Sequence, residues 1–370
     1  MKKVLISFTV LSISLAVFGQ TNLPNLSKMK TIRAKSDTVS IRDGNKFYQN
    51  AWRISPEAKP DVYETTNKKV TFITDLDSIT FKTELNKIYD FVILKGKDTA
   101  WTQIKCVPSK LKILQEAGKY QTEKTDNFPK FTYQSMDNGN LKNVRTTLKL
   151  DSIAGNGDEI SKILNLLYWV HNTIRHDGSN NGNCEFDAID WYNYYKATRK
   201  GINCRSLASF LNECYLSMDI PSRFMVCLPK DSTDTDCHVI NSVYSKTLKK
   251  WIWIDPTFNA YVKDENGNLL GIEEVRERLI DSKPLVLNED ANWNNEQKET
   301  PDVYWEYMSK NLYWLQCATD SKFNTESPYR DTNATYVSLV PTGFAAWGKS
   351  YSYFPKSLET TDSNYFWQKP

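Results

Sequence analysis

Between residues 159 and 175 apolar positions recur every three or four residues. Ile160, Ile163, Leu164, Leu167, Val170 and Ile174 fall on one stripe, which predicts a helix with these side chains on its core face. Trp169, Asn172 and His176 fall on the opposite side. A second helix is predicted after residue 203, where Leu207, Phe210, Leu211 and Cys214 share a face. Upstream the period is two. Residues 70–73, 78–81 and 89–94 are short β-branched and aromatic runs with turn residues between them, the pattern of a small β-sandwich. Downstream, 223–228, 238–244 and 251–255 read as three further strands, the last closed by Pro256. Two more helices are predicted over 272–280 and 303–315, before a Pro-, Ser- and Tyr-rich end.

A chain of 370 residues is long enough for two or three domains at roughly 100–200 residues each. The formal charge is +3, with no clustered basic excess, so no nucleic-acid partner is expected. Apolar residues at 40% and charged ones at 25% exclude wholesale disorder and a membrane bundle. Met1-Lys2-Lys3 precedes the apolar run 4–18, and Val17 and Gly19 stand at −3 and −1 of a cleavage position before Gln20. That is the plan of a signal peptide over 1–19. The run carries three serines and is short for a retained span. A soluble exported protein, periplasmic or extracellular, is expected. Seven cysteines fit such a compartment awkwardly, because an odd count leaves at least one thiol unpaired. Most are expected to be small buried apolar residues.

One cysteine has a different setting. In Lys200-Gly201-Ile202-Asn203-Cys204-Arg205, Gly201 allows a tight turn and Asn203 is a natural N-cap. Cys204 therefore opens a helix, where unsatisfied N–H groups and the helix dipole favour a thiolate. There are only three histidines, at 171, 176 and 238. If Tyr244 pairs with Trp251 across the turn at 245–250, Ile240 lies opposite Asp255, and His238 points to the same face as Asp255. A slip of one residue would separate them. A thiolate, an imidazole to shuttle a proton and a carboxylate to orient the ring are the requirements of thiol acyl transfer. Neither a metal nor a cofactor is expected. No cysteine or histidine spacing suits zinc, and Asp231, Asp234 and Asp236 lack the ligand pattern of a calcium loop.

This stretch, from about 160 to 261, resembles the transglutaminase-like superfamily of papain-related thiol enzymes. The marks are Tyr168-Trp169-Val170-His171-Asn172, Gly201-Ile202-Asn203-Cys204 and Asp219-Ile220-Pro221-Ser222-Arg223, the last similar to a Gly-Ile-Pro-x-Arg step. Cys237-His238-Val239-Ile240-Asn241 and Trp251-Ile252-Trp253-Ile254-Asp255-Pro256-Thr257 complete them. The resemblance implies an α+β fold with a papain/transglutaminase-like core, a Cys-bearing helix packed on an antiparallel sheet, preceded by the small β-sandwich. It makes Cys204 the nucleophile, His238 the general base and Asp255 the orienting acid. Two departures stand out: Val239-Ile240 replaces a small residue and Trp, and Asp219 replaces Gly. The domain order is similar to that of exported bacterial proteins with an N-terminal β-domain.

The expected division is a signal peptide (1–19), a polar lead-in (20–45), a β-rich domain with a connection (46–150), a catalytic domain (151–265) and a helical or irregular C-terminal extension packing on the core (266–370). The expected reaction is acyl transfer from an amide of a protein or peptide through a thioester, with hydrolysis favoured over transfer to an amine. The backbone N–H of Cys204 would serve the oxyanion, with Trp169 and Asn172 as candidates for the second donor. The competing class is an inactive module that binds peptide or glycan, with Trp191, Tyr192, Tyr194 and Tyr195 available for stacking.

Overall fold

The computed structural model describes residues 26–122, 128–325, 335–346 and 357–370, so the expected signal peptide lies outside the described residues. The chain divides into two compact units, Met1–Pro108 and Ser109–Pro370. Among the described residues no helix is long and apolar enough to cross a membrane.

The first unit holds two four-stranded sheets. One orders Lys30–Ala34, Ile88–Lys95, Asp98–Cys106 and Asp61–Thr65; the other orders Lys46–Arg53, Thr38–Asp43, Lys69–Ile73 and Ser78–Lys82. Both sheets feed a single core, in which Ile32, Val39, Ile41 and Phe72 join Phe91, Ile93 and Ile104. The sandwich therefore begins before residue 46. The stretch expected as a polar lead-in contributes two strands, because Ile32, Ala34, Val39 and Ile41 point inward at every second position. Lysine, serine and threonine on the outward face hide that alternation. The unit ends at Pro108, and the expected connection belongs to the second unit. The helices Lys110–Ala117, Gly139–Thr147 and Leu150–Ala154 pack into the cores of the second unit through Leu114, Val144 and Leu150.

The second unit is built on an eight-stranded sheet in the order Val286–Leu287, Ala260–Lys263, Lys250–Asp255, His238–Ser245, Ser222–Leu228, Trp314–Ala318, Tyr336–Leu339 and Ser357–Thr360. Neighbours are antiparallel except for the last pair. Val243, Ile252 and Ile254 face a cluster with Leu207, Phe210 and Leu211 of the helix Cys204–Ser217 and Ile163 of the helix Glu159–Thr173. Met225, Ile240 and Trp253 face the opposite cluster, with Val275 of Ile272–Ile280 and Tyr304 and Met308 of Pro301–Asn311. Strands covered on both faces carry near-continuous apolar runs.

The region 266–370 is accordingly more than an extension, since it supplies four of the sheet's strands. The expected helix 303–315 stops at Asn311, and Trp314–Ala318 becomes a strand buried along its whole length. A short apolar run without a period leaves helix and strand indistinguishable, and pairing with Ser222–Leu228 decides for strand.

Candidate active site

Cys204 occupies the first helical position of Cys204–Ser217, and the side chain of Asn203 accepts from Ser206 N at 2.9 Å. The dipole of this capped end favours negative charge on the sulfur. The chain before it is pinned by a close approach: a Cβ on Gly201 would lie 2.5 Å from the Arg175 carbonyl oxygen. With glycine there, Ile202 N donates to Arg175 O at 3.0 Å and Asp177 N to Ile202 O at 2.9 Å. The resulting bridge joins His176 to Ile202. His176 is thus not on the helix face where the apolar periodicity put it. That helix ends at Thr173, Ile174 is extended, and His176 arrives on a short strand-like segment.

The strand register is the one that joins His238 to Asp255. Tyr244 pairs with Trp251 and Asn241 with Ile254. His238 opens its strand and Asp255 closes the neighbouring antiparallel one, so both stand at the same end of the sheet. His238 Nε2 donates to Asp255 Oδ2 at 2.8 Å. The carboxylate is fully buried and has two other donors: Tyr304 Oη on Oδ2 at 2.8 Å and Thr257 N on Oδ1 at 2.9 Å. Tyr304 Oη in turn accepts from Trp253 Nε1 at 3.0 Å. The His238 ring lies against Phe258 and Tyr307, with centroids 5.6 and 5.5 Å away. Since Nε2 is committed to Asp255, Nδ1 is the ring nitrogen left for the sulfur, and His238 and His176 both act on the Cys204 thiol.

Burial pushes the Cys204 thiol up, but the hydrogen bonds from His176 and His238 and the charge of the His238 ring outweigh it and bring it down to about 6. Burial would lower His238; the charge and hydrogen bond of Asp255, together with Cys204, raise it to about 10 instead. At neutral pH the pair is therefore a thiolate and an imidazolium. Five other thiols, Cys317 among them, go the opposite way. Burial pushes Cys237 up to about 11, Cys184 to about 12, and Cys214 and Cys227 well above the usual thiol range. All seven cysteines are free.

Residues 146–256 match the family model of the transglutaminase-like superfamily. This segment is transglutaminase-like. The match runs from the end of Gly139–Thr147 to Pro256 and includes Cys204, His238 and Asp255. No curated protein matches the chain. Among solved structures, a candidate cysteine protease from Cytophaga hutchinsonii is similar at 15% identity, covering 55% of this chain and 70% of that one, with a TM-score of 0.26.

Within the transglutaminase-like segment, the Asp219 that stands in place of glycine has a left-handed backbone, φ 60°. Aspartate tolerates this region better than most residues. Lys246 Nζ holds both its carbonyl and its carboxylate, at 3.0 and 2.7 Å. Arg223, from the same motif, is buried between Trp251 and Phe131 and donates to Phe366 O at 3.0 Å, which makes it a packing residue.

Of the two side chains expected as second oxyanion donors, Asn172 is committed to other partners. Trp169 packs on Tyr192 and Phe210. Asn172 Nδ2 donates to Tyr168 O at 2.7 Å, and its Oδ1 accepts from Asn295 at 2.8 Å. Trp191 is 1% exposed and stacked on Phe186, out of reach of any glycan. Asp234 and Asp236 share Lys310. Among the described residues no group of three or more His, Cys, Asp or Glu side chains could hold a metal ion.

Sequence reasoning missed Tyr304, Trp293 and the placement of His176. Trp293 Nε1 donates to His176 Nδ1 at 3.1 Å. An indole N–H can only donate, so Nδ1 is the accepting nitrogen and Nε2 carries the proton. Asn294 clamps the backbone of His176 with bonds of 2.7 and 3.0 Å. Nothing local announces these roles: Asn292-Trp293-Asn294-Asn295 reads as a polar turn, and Tyr304 as one aromatic among many.

Proposed function

We propose that this chain is an exported thiol enzyme that cleaves amide bonds in proteins or peptides, with Cys204 as nucleophile, His238 as general acid and base, and Asp255 as the orienting carboxylate. The observation that carries the reading is the 2.8 Å bond from the buried Asp255 carboxylate to His238, a ring that together with His176 acts on the Cys204 sulfur at a capped helix start. The thiolate attacks the amide carbonyl, forming the C–S bond. The oxyanion takes hydrogen bonds from the Cys204 backbone N–H and, in this reading, from His176 Nε2–H. As the C–N bond breaks, the departing amine takes the proton from His238 Nδ1 and a thioester remains. His238 then removes a proton from water, whose oxygen displaces the sulfur and releases the acid. The partly exposed Cys204 leaves room for water, which favours hydrolysis over transfer to an amine.

Alkylation by neutral iodoacetamide tests the reading. Cys204 should react fast above pH 6, and His238→Ala should return it to the rate of an ordinary thiol. Ordinary reactivity in the unaltered protein would leave only a binding module of the same fold.

A further inference from the structure

Beside the His238–Asp255 pair is a cavity of about 260 Å³ lined by Phe258, Trp293, Gln297, Glu299, Val303 and Tyr307. Three of these residues also touch the site. Phe258 and Tyr307 flank the His238 ring, and Trp293 bonds His176. The cavity is therefore a wall of the reaction centre, and most of that wall is aromatic or aliphatic.

Glu299 is the exception. It is 7% exposed, and its carboxylate has no hydrogen-bond donor or cation among the described residues. Other buried acids in this unit are matched: Asp255 has three donors, and Glu213 accepts from Ala188 N and Asn324 N. Glu299 is also held in place, since its N–H donates to Ala291 O at 2.9 Å and it follows the paired segments Asn292–Trp293 and Gln297–Lys298. Burial, and then the charge of Asp255, push its carboxyl above the usual range. The Glu299 side chain is largely covered and its carboxylate lines the cavity, where a cation can meet it.

An ionised carboxylate accepts but cannot donate, and aromatic faces attract cations, so the lining suits a positive group on an apolar stem. We infer that this cavity is the subsite for a cationic, lysine-like side chain of the substrate, its aliphatic stem against Phe258, Val303 and Tyr307 and its ammonium on Glu299. The inference rests on the reading of Cys204 as the nucleophile, because the cavity is tied to that site through the residues flanking His238 and His176.

Two chloroacetamides test it on the full chain, one bearing a 4-aminobutyl arm and the other a pentyl arm of the same length. The amino arm should modify Cys204 about ten- to a hundredfold faster, the effect of one charge-assisted bond. Glu299→Gln should bring the two rates to within about twofold of each other, whereas Glu296→Gln, an exposed acid paired with Arg175 at 2.8 Å, should keep the difference. Equal rates in the unaltered protein, or a preference that survives Glu299→Gln, would overturn the subsite. The ratio of the two arms decides the subsite, and the absolute rate of the pentyl reagent decides the thiol.

Discussion

Cys204 and Cys214 belong to one helix, the first at its opening turn and the second in its middle. Both lose water on folding, which by itself disfavours a thiolate. At Cys214 a backbone hydrogen bond compensates only weakly: its surroundings are the apolar cluster of Leu207, Leu211 and Ile163, and the neighbouring Glu213 charge adds to the burial. At Cys204 the same loss of water is outweighed by two imidazoles delivered from outside the helix. One comes from the bridge that Gly201 permits, the other from the start of a strand. Neither residue type nor element decides reactivity here. The donors that other segments bring to the sulfur decide it.

The strongest test of this contrast is to remove each thiol in turn. Cys204→Ala should abolish turnover and fast alkylation. Cys214→Ala should leave both in place and lower stability by about 1–2 kcal/mol in a denaturant titration, as expected for a small buried side chain. Loss of fast alkylation in the second variant would break the comparison. Next in size, Asp255→Asn should reduce kcat by up to about four orders of magnitude, because the ring loses its orienting acceptor. An unchanged kcat would remove Asp255 from the mechanism.

A smaller effect separates the two imidazoles. His176→Ala should lower kcat by about 10²–10³, the usual loss for an oxyanion donor. Trp293→Phe should cost roughly tenfold, since the ring stays but its tautomer is released. If His176→Ala slowed alkylation without a matching loss in kcat, His176 would be acting on the thiol alone.

The pH profile sharpens the same contrast. Cys204 is depressed to about 6 and His238 raised to about 10. The thiolate–imidazolium pair therefore exists between those values, lost below as the sulfur gains a proton and above as the ring loses one. kcat/KM should be bell-shaped with limbs near them, and the limbs belong to the pair rather than to either residue. A profile with its acid limb at the ordinary thiol value would contradict the ion pair. The smallest effect belongs to the helix cap: Asn203→Ala should cost about 1 kcal/mol of stability and move the acid limb slightly upward.

Much of the site could be read from the chain because its signals are local. Asn203 before Cys204, the stripe Leu207–Phe210–Leu211 and the Tyr244–Trp251 pairing each depend on a few neighbouring positions, and the structure contains all three. Strands 30–34 and 38–43 were hidden by their polar outer faces, and Trp314–Ala318 by the absence of any period. Trp293 and Tyr304 were hidden by distance, since they reach His176 and Asp255 across more than a hundred and about fifty residues respectively.

What the sequence determined by itself was a helix start with a cysteine on it and two strands with a histidine and an aspartate at matching ends. Capping, amphipathic periodicity and cross-strand register are short-range physics, and a few residues suffice to encode them. Tertiary structure alone decided how acidic the sulfur is, which nitrogen of His176 carries its proton, and which donors hold Asp255. Those properties depend on loss of water and on partners contributed by remote segments, and no stretch of chain carries them until the sheet and its helices have closed around the site.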